Sequence, residues 1–179
     1  MTLRNFNLIV FSLTVFFLTA CSEETVQSEQ VNVTVSDLAP ELVPEEGNTE
    51  TTFQDLAGNG IELSDFAGKR VLLNYWATWC GPCIREIPAL NRAASILADE
   101  GYIVLLASDE GLQEIAEFIQ QHEFSGNFIK LNAYFAEHGV QAVPSTVLYN
   151  EESEIINRWL GAYEWDSNMM LREMRESGL

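Results

Sequence analysis

At 179 residues, with 27 acidic side chains against 9 basic ones and 47% apolar residues, the chain has room for one folded domain plus appendages. A formal charge of −18 excludes nucleic acid as a partner, since binding a phosphate backbone needs clustered Lys and Arg. An aromatic content of 11% excludes a wholly disordered chain, although so large an acidic excess predicts at least one solvated segment.

The first twenty residues read as an export signal. Arg4 supplies a minimal positive start, and Phe6 to Ala20 is a polar-poor run too short for the ~20 residues a membrane-spanning helix needs. The run ends Leu18-Thr19-Ala20-Cys21, which resembles the bacterial lipobox and implies a lipidated Cys21 as the mature N-terminus. Residues 21–50 then form the lipidated cysteine and an acidic tether. From Ser22 to Glu50 there are eight acidic residues and no Lys, Arg or aromatic side chain, too little apolar area to offset ordering entropy. As flexible coil this stretch reaches about 30 Å. Its alternating Val31 to Val35 leaves open a further edge strand.

Residues 51–179 read as the folded domain. Phe53 to Leu56 and Gly60 to Leu63 predict a hairpin closed by Gly58-Asn59-Gly60, and Ser64 to Ala67 a capped turn. Arg70 to Trp76 is a nearly continuous apolar run, the pattern of a strand buried on both faces. A helix follows to about Ala98, with Ile84, Ile87, Leu90, Ala94 and Leu97 on its apolar face and a kink expected at Pro88. Next come a strand at Tyr102 to Ala107, a helix at Leu112 to His122 and a strand at Asn127 to Leu131. A hairpin of Ser145 to Tyr149 and Glu154 to Leu160 and a helix over Asp166 to Arg175 complete the domain. This alternation predicts an α/β fold, a central mixed sheet with helices on both faces and an N-terminal hairpin extension.

The chemistry concentrates at Trp79-Cys80-Gly81-Pro82-Cys83. Two cysteines three residues apart at a strand-to-helix junction lie within bridging distance. Cys80 falls at the helix N-terminus, where free N–H groups and the dipole favour a thiolate, whereas Cys83 lies one turn in and is shielded. Cys80 is therefore the expected nucleophile and Cys83 the resolving thiol. Glu86, one turn beyond Cys83, is either a proton-exchange partner for that thiol or a solvated helix residue. Trp79 either docks substrate or packs, and Trp76 reads as core. Asp109 and Glu110 read as the end of a strand held against the next helix's N-terminus. His122 and His138 lack ligand spacing and read as solvated helix ends, so neither a metal nor a cofactor is expected.

The run from Gly68 to Pro88, GKRVLLNYWATWCGPCIREIP, resembles the TlpA/ResA-type branch of the thioredoxin superfamily, and the likeness extends over roughly residues 51–177. The resemblance implies a thioredoxin-like fold and an exported, often membrane-anchored thiol-disulfide oxidoreductase, in some cases serving cytochrome c maturation. It places a cis-proline loop at Val143-Pro144, facing the redox pair and offering the Val143 backbone to an extended substrate. Trp79, Gly81, Pro82, Val143 and Pro144 are then the substrate-binding residues, and Cys80, Cys83 and Glu86 the catalytic ones. Asn74 departs from thioredoxin, which has a buried aspartate there. This shifts the proton-carrying role to Glu86 or water.

The expected protein is thus a monomer anchored by lipid to the cell or outer membrane on the extracytoplasmic, periplasmic side. It reduces protein disulfides and is recharged by a membrane electron donor of thiol-disulfide type. Alternatives are a disulfide oxidant or isomerase, and a non-enzymatic copper-binding or redox-sensing module.

Overall fold

The computed structural model describes residues 51–178; the leader, Cys21, the tether and the Val31 to Val35 segment lie outside the described residues. Within them a seven-stranded sheet forms around the apolar run predicted as a doubly buried strand. That run is β3, Arg70–Tyr75, whose residues after Arg70 are all buried. It pairs in parallel with β4 (Tyr102–Ser108), with Leu72 opposite Val104, and antiparallel with β6 (Ser145–Tyr149), with Leu72 opposite Leu148. β5 (Asn127–Leu131) adds to β4 in parallel, and β7 (Ile155–Leu160) adds to β6 antiparallel. The predicted hairpin, β1 (Phe53–Asp55) and β2 (Gly60–Ile61), extends the sheet beyond β5, giving the order β2-β1-β5-β4-β3-β6-β7.

Alternation along β3 divides the core in two. Leu72 and Trp76 pack on one face with buried residues of α1 (Gly81–Leu97), α2 (Leu112–His122) and α3 (Asn168–Glu176). Val71, Leu73 and Tyr75 pack on the other, which is roofed by residues of two 3-10 helices at Leu63–Phe66 and Phe135–His138. Helical cover therefore exists on both faces, with the three α-helices sharing one of them.

The observed stripe on α1 departs from the expected one. Cys83, Glu86, Ile87, Ala89, Leu90, Ala93 and Leu97 are buried, whereas Ile84 and Ala94 are half-exposed. The face is rotated toward Cys83 and Glu86 because both find partners inside, as described below. The helix runs on through Pro88, which is exposed, so no break in the helix accompanies the lost N–H donor.

Candidate active site

β3 ends under the sheet's C-terminal edge, and the four residues Trp76 to Trp79 carry the chain to the start of α1. Trp76 is buried against Phe118 and Phe128, as expected of a core tryptophan. Its backbone N–H donates to Ala107 O and continues the pairing with β4. The next turn is held from outside: Glu110 accepts hydrogen bonds from the Thr78 backbone N–H (2.8 Å), the Thr78 hydroxyl (2.6 Å) and the Ser108 hydroxyl (2.8 Å). Asp109 accepts from the Phe135 N–H at 3.1 Å. The expectation that these two acids serve the N-terminus of α2 is corrected by these bonds: Gly111 is the cap there, and both carboxylates reach across to neighbouring segments.

Cys80 caps α1, its Sγ accepting from the Cys83 N–H at 3.3 Å, and Pro82 occupies the first turn, where a missing N–H costs nothing. Cys80 and Cys83 are joined in a disulfide with Cα atoms 5.3 Å apart. Cys83 is fully buried and Cys80 is only 4% exposed. The order of exposure is the expected one, but the freely reachable Cys80 read from the sequence is not what this state shows: both bonded cysteines are buried. Trp79, by contrast, is 71% exposed, and Pro82 is exposed with it.

The Val143–Pro144 peptide bond is cis. Pro144 is buried and immediately precedes β6, whose first residue, Ser145, lies opposite Tyr75 at the end of β3. The proline and the redox pair therefore share one end of the sheet. A cavity of about 300 Å³ is lined by the chain neighbours of both, Trp79 before Cys80 and Val143 before Pro144, together with Asp109, Tyr134 and Phe135 among others. Tyr134 is as exposed as Trp79 and was not singled out from the sequence.

Glu86 is buried, which decides against the solvated helix residue. Its Oε1 accepts from Asn74 Nδ2 at 2.9 Å, and its Oε2 from the Trp165 indole N–H at 2.8 Å and the Tyr163 backbone N–H at 3.1 Å. Burial pushes the carboxyl above the ordinary carboxylate range, against the pull of the bonds from Trp165, Asn74 and Tyr163. Asn74 Nδ2 also donates to Thr146 Oγ1 at 2.9 Å, while its Oδ1 is buried without a hydrogen-bonding partner. A half-turn of that amide would place Oδ1 toward Glu86 Oε1 and Thr146 Oγ1, so the same residue can donate to the carboxylate or accept from the carboxylic acid.

Trp165 is the site residue that reasoning from the sequence missed. The available signal was an aromatic pair, Tyr163 and Trp165, just past the last strand in a stretch without periodicity. His122 is exposed, as expected, and stacks on Phe118 with Phe124 beside both rings; His138 is half-buried beside Phe53. Among the described residues, no three His, Cys, Asp or Glu side chains are grouped as metal ligands, and no helix is long and apolar enough to cross a membrane.

A family model described as AhpC/TSA matches residues 44–173. The chain belongs to the AhpC/TSA family. Curated relatives named thiol-disulfide oxidoreductase ResA are similar to it. One from Bacillus thuringiensis subsp. konkukian is 34% identical over 110 residues, covering 60% of this chain and 64% of the relative. One from Halalkalibacterium halodurans is 31% identical over 127 residues, covering 69% and 70%. The chain thus spans somewhat under two thirds of the length of the first of these relatives. Among solved structures, a thiol:disulfide interchange protein DsbE from Chlorobium tepidum superposes with a TM-score of 0.61 at 21% identity, covering 69% of this chain and 89% of that one. StoA from Bacillus subtilis gives 0.57 at 19%, covering 70% and 95%. At such identities the superpositions establish the thioredoxin-like fold.

Proposed function

We propose that the protein is a thiol-disulfide oxidoreductase, the activity its curated relatives are named for, and that it works by reducing protein disulfides outside the cytoplasm. The observation that carries the reading is the Cys80–Cys83 disulfide at the start of α1, beside the cis Val143–Pro144 bond at the same end of the sheet.

In the reduced protein the Cys80 thiolate attacks one sulfur of a substrate disulfide. A Cys80–substrate bond forms, and the other substrate sulfur leaves as a thiolate and takes up a proton. Cys83 gives its proton to Glu86, one turn along α1, and attacks Cys80 Sγ. The second substrate sulfur then leaves and is protonated, so the substrate has gained two electrons and two protons and the enzyme holds the disulfide described here. A dithiol donor at the membrane reverses the change on the enzyme. Trp79, Gly81, Pro82 and the Val143–Pro144 backbone form the surface against which an extended substrate segment lies.

On this reading the first twenty residues direct export, lipid on Cys21 holds the chain to a membrane surface, and residues 22–50 tether the domain at 51–179. Supporting this are the lipobox-like run and the composition of the tether. Substrates include proteins whose cysteines must be reduced during cytochrome c maturation.

The test is a Cys83→Ser variant of the full chain expressed in its host. Its mixed disulfides cannot be resolved, so proteins should accumulate covalently on Cys80 and disappear when Cys80 is also replaced by serine. An empty trap, together with a parent protein that fails to reduce insulin in vitro, overturns the proposal.

A further inference from the structure

The carboxyl of Glu86 is held from a direction that the redox motif does not predict. After β7 the chain crosses back over the site as a short strap. Gly161 N–H donates to the carbonyl of Pro144 at 2.9 Å, and two and four residues later Tyr163 N–H and the Trp165 indole N–H donate to Glu86 Oε2. Five consecutive residues thus connect the backbone of the cis-proline to the buried acid.

The strap is anchored beyond what a loop requires. Trp165 is fully buried and stands edge-on to Trp159 at 5.5 Å between ring centres, while the Trp159 N–H donates to Glu173 of α3 at 2.8 Å. The following residue, Asp166, is paired with Arg92 on α1. Burial and edge-on packing against Trp159 ask only for an aromatic ring at this position. What an apolar residue cannot supply is a donor aimed at a carboxylate.

We propose that Trp165 is a positioning residue for disulfide exchange: its indole N–H fixes the Glu86 carboxyl one turn from Cys83, and the strap that carries it ties this carboxyl to the Pro144 backbone on which substrate rests. The inference rests on the reading of Glu86 as the proton partner of Cys83. The groups bonded to Glu86 are Asn74 from β3, with Thr146 of β6 behind it, and Tyr163 and Trp165 from the strap, and Cys83 precedes it by three residues on α1. None carries a fixed charge. The charged neighbours on adjoining elements, Glu173 and Arg92, bond to Trp159 and Asp166 instead.

The experiment uses the reduced full chain and an aromatic disulfide, 5,5′-dithiobis(2-nitrobenzoate). Its first thiolate is released when Cys80 attacks, and its second when Cys83 resolves the mixed disulfide. The rate of the second release is followed against pH in the parent, in Trp165→Phe and in Glu86→Gln. Trp165→Phe keeps an aromatic ring and deletes the donor, so the ionised carboxylate loses a stabilising bond. The second release should slow about tenfold on the acid side of the profile and match the parent on the plateau. Glu86→Gln should lose the acid limb that the carboxyl sets, leaving a lower rate that rises with pH only through the ionisation of Cys83 itself.

If Glu86→Gln loses that limb while Trp165→Phe superimposes on the parent, the positioning role is overturned and the reading of Glu86 stands. If Glu86→Gln keeps the limb, the reading of Glu86 fails and the inference fails with it. Should Trp165→Phe not fold, the indole N–H resonance of Trp165 in the reduced parent provides the measurement. It should move with the midpoint of the rate profile and stay still in Glu86→Gln; a resonance unmoved in the parent overturns the proposal.

Discussion

The buried carboxyl of Glu86 makes the stability of the fold respond to pH. Its folded-state pKa is raised by burial, so the native protein binds a proton there more readily than the unfolded chain does. The stabilising effect of that proton is complete below the ordinary carboxylate pKa, and it is lost as pH rises through the raised one. Above that window the fold carries a buried charge whose three donors offset only part of the desolvation. Glu86→Gln removes the charge, and Asn74 can turn its unpartnered Oδ1 to accept from the new amide. The variant should therefore gain stability over the parent at pH 7.5 and show no such gain near pH 4, as read from urea midpoints. Equal midpoint differences at the two pH values would mean that the charge is already fully compensated.

At the scale of elements, the close approach of α1 to β4 depends on the turn between α2 and β5. Gly126 there has φ of +131°, and a Cβ on it would lie 2.8 Å from Asn91 Oδ1 on α1 and 2.9 Å from Leu106 Cδ1 on β4. Asn91 closes the same junction by donating to Ser125 O. Gly126→Ala combines a poorly tolerated backbone conformation with overpacking and should cost about 1–3 kcal/mol, measurable by chemical denaturation. Insulin reduction well below the melting temperature should be little changed, since the turn bears on packing and not on the redox pair.

Elements were legible in the sequence wherever burial shows as a period or as an unbroken apolar run. The bounds of α2, β5 and β6 coincide with the expected runs, and β3, β4 and β7 differ by one residue at an end. The 3-10 helix at Phe135–His138 was missed, because one turn is too short to show a period. The pairing of β1 with β5 was beyond reach, since nothing local to Phe53 specifies a partner more than seventy residues away. In the site, the cysteine pair could be read from its own neighbours, and the proline from the family resemblance. The fate of Glu86 could not, because its principal donor lies 79 residues along the chain.

Over the whole domain, residues 51–179 carry eight basic and nineteen acidic side chains, a net charge of −11. Such a field acts on every thiol that approaches the disulfide. The oxidised protein should be reduced faster by cationic cysteamine than by anionic 2-mercaptoethanesulfonate, after correction for their thiolate fractions. The ratio should fall toward one between roughly 10 mM and 1 M salt, as the screening length contracts from about 30 Å to about 3 Å. A ratio independent of salt would assign the difference to contacts in the cavity beside Trp79.

The redox bond spans only four residues, and this has a consequence for endurance. A crosslink over so short a loop withholds little freedom from the denatured chain, so cleaving it does not remove a main support of the architecture. The scaffold thus depends little on whether the pair is bonded. By closure of the thermodynamic cycle, any difference in melting free energy between the two states measures how strongly the native helix terminus favours one side of the couple over the other.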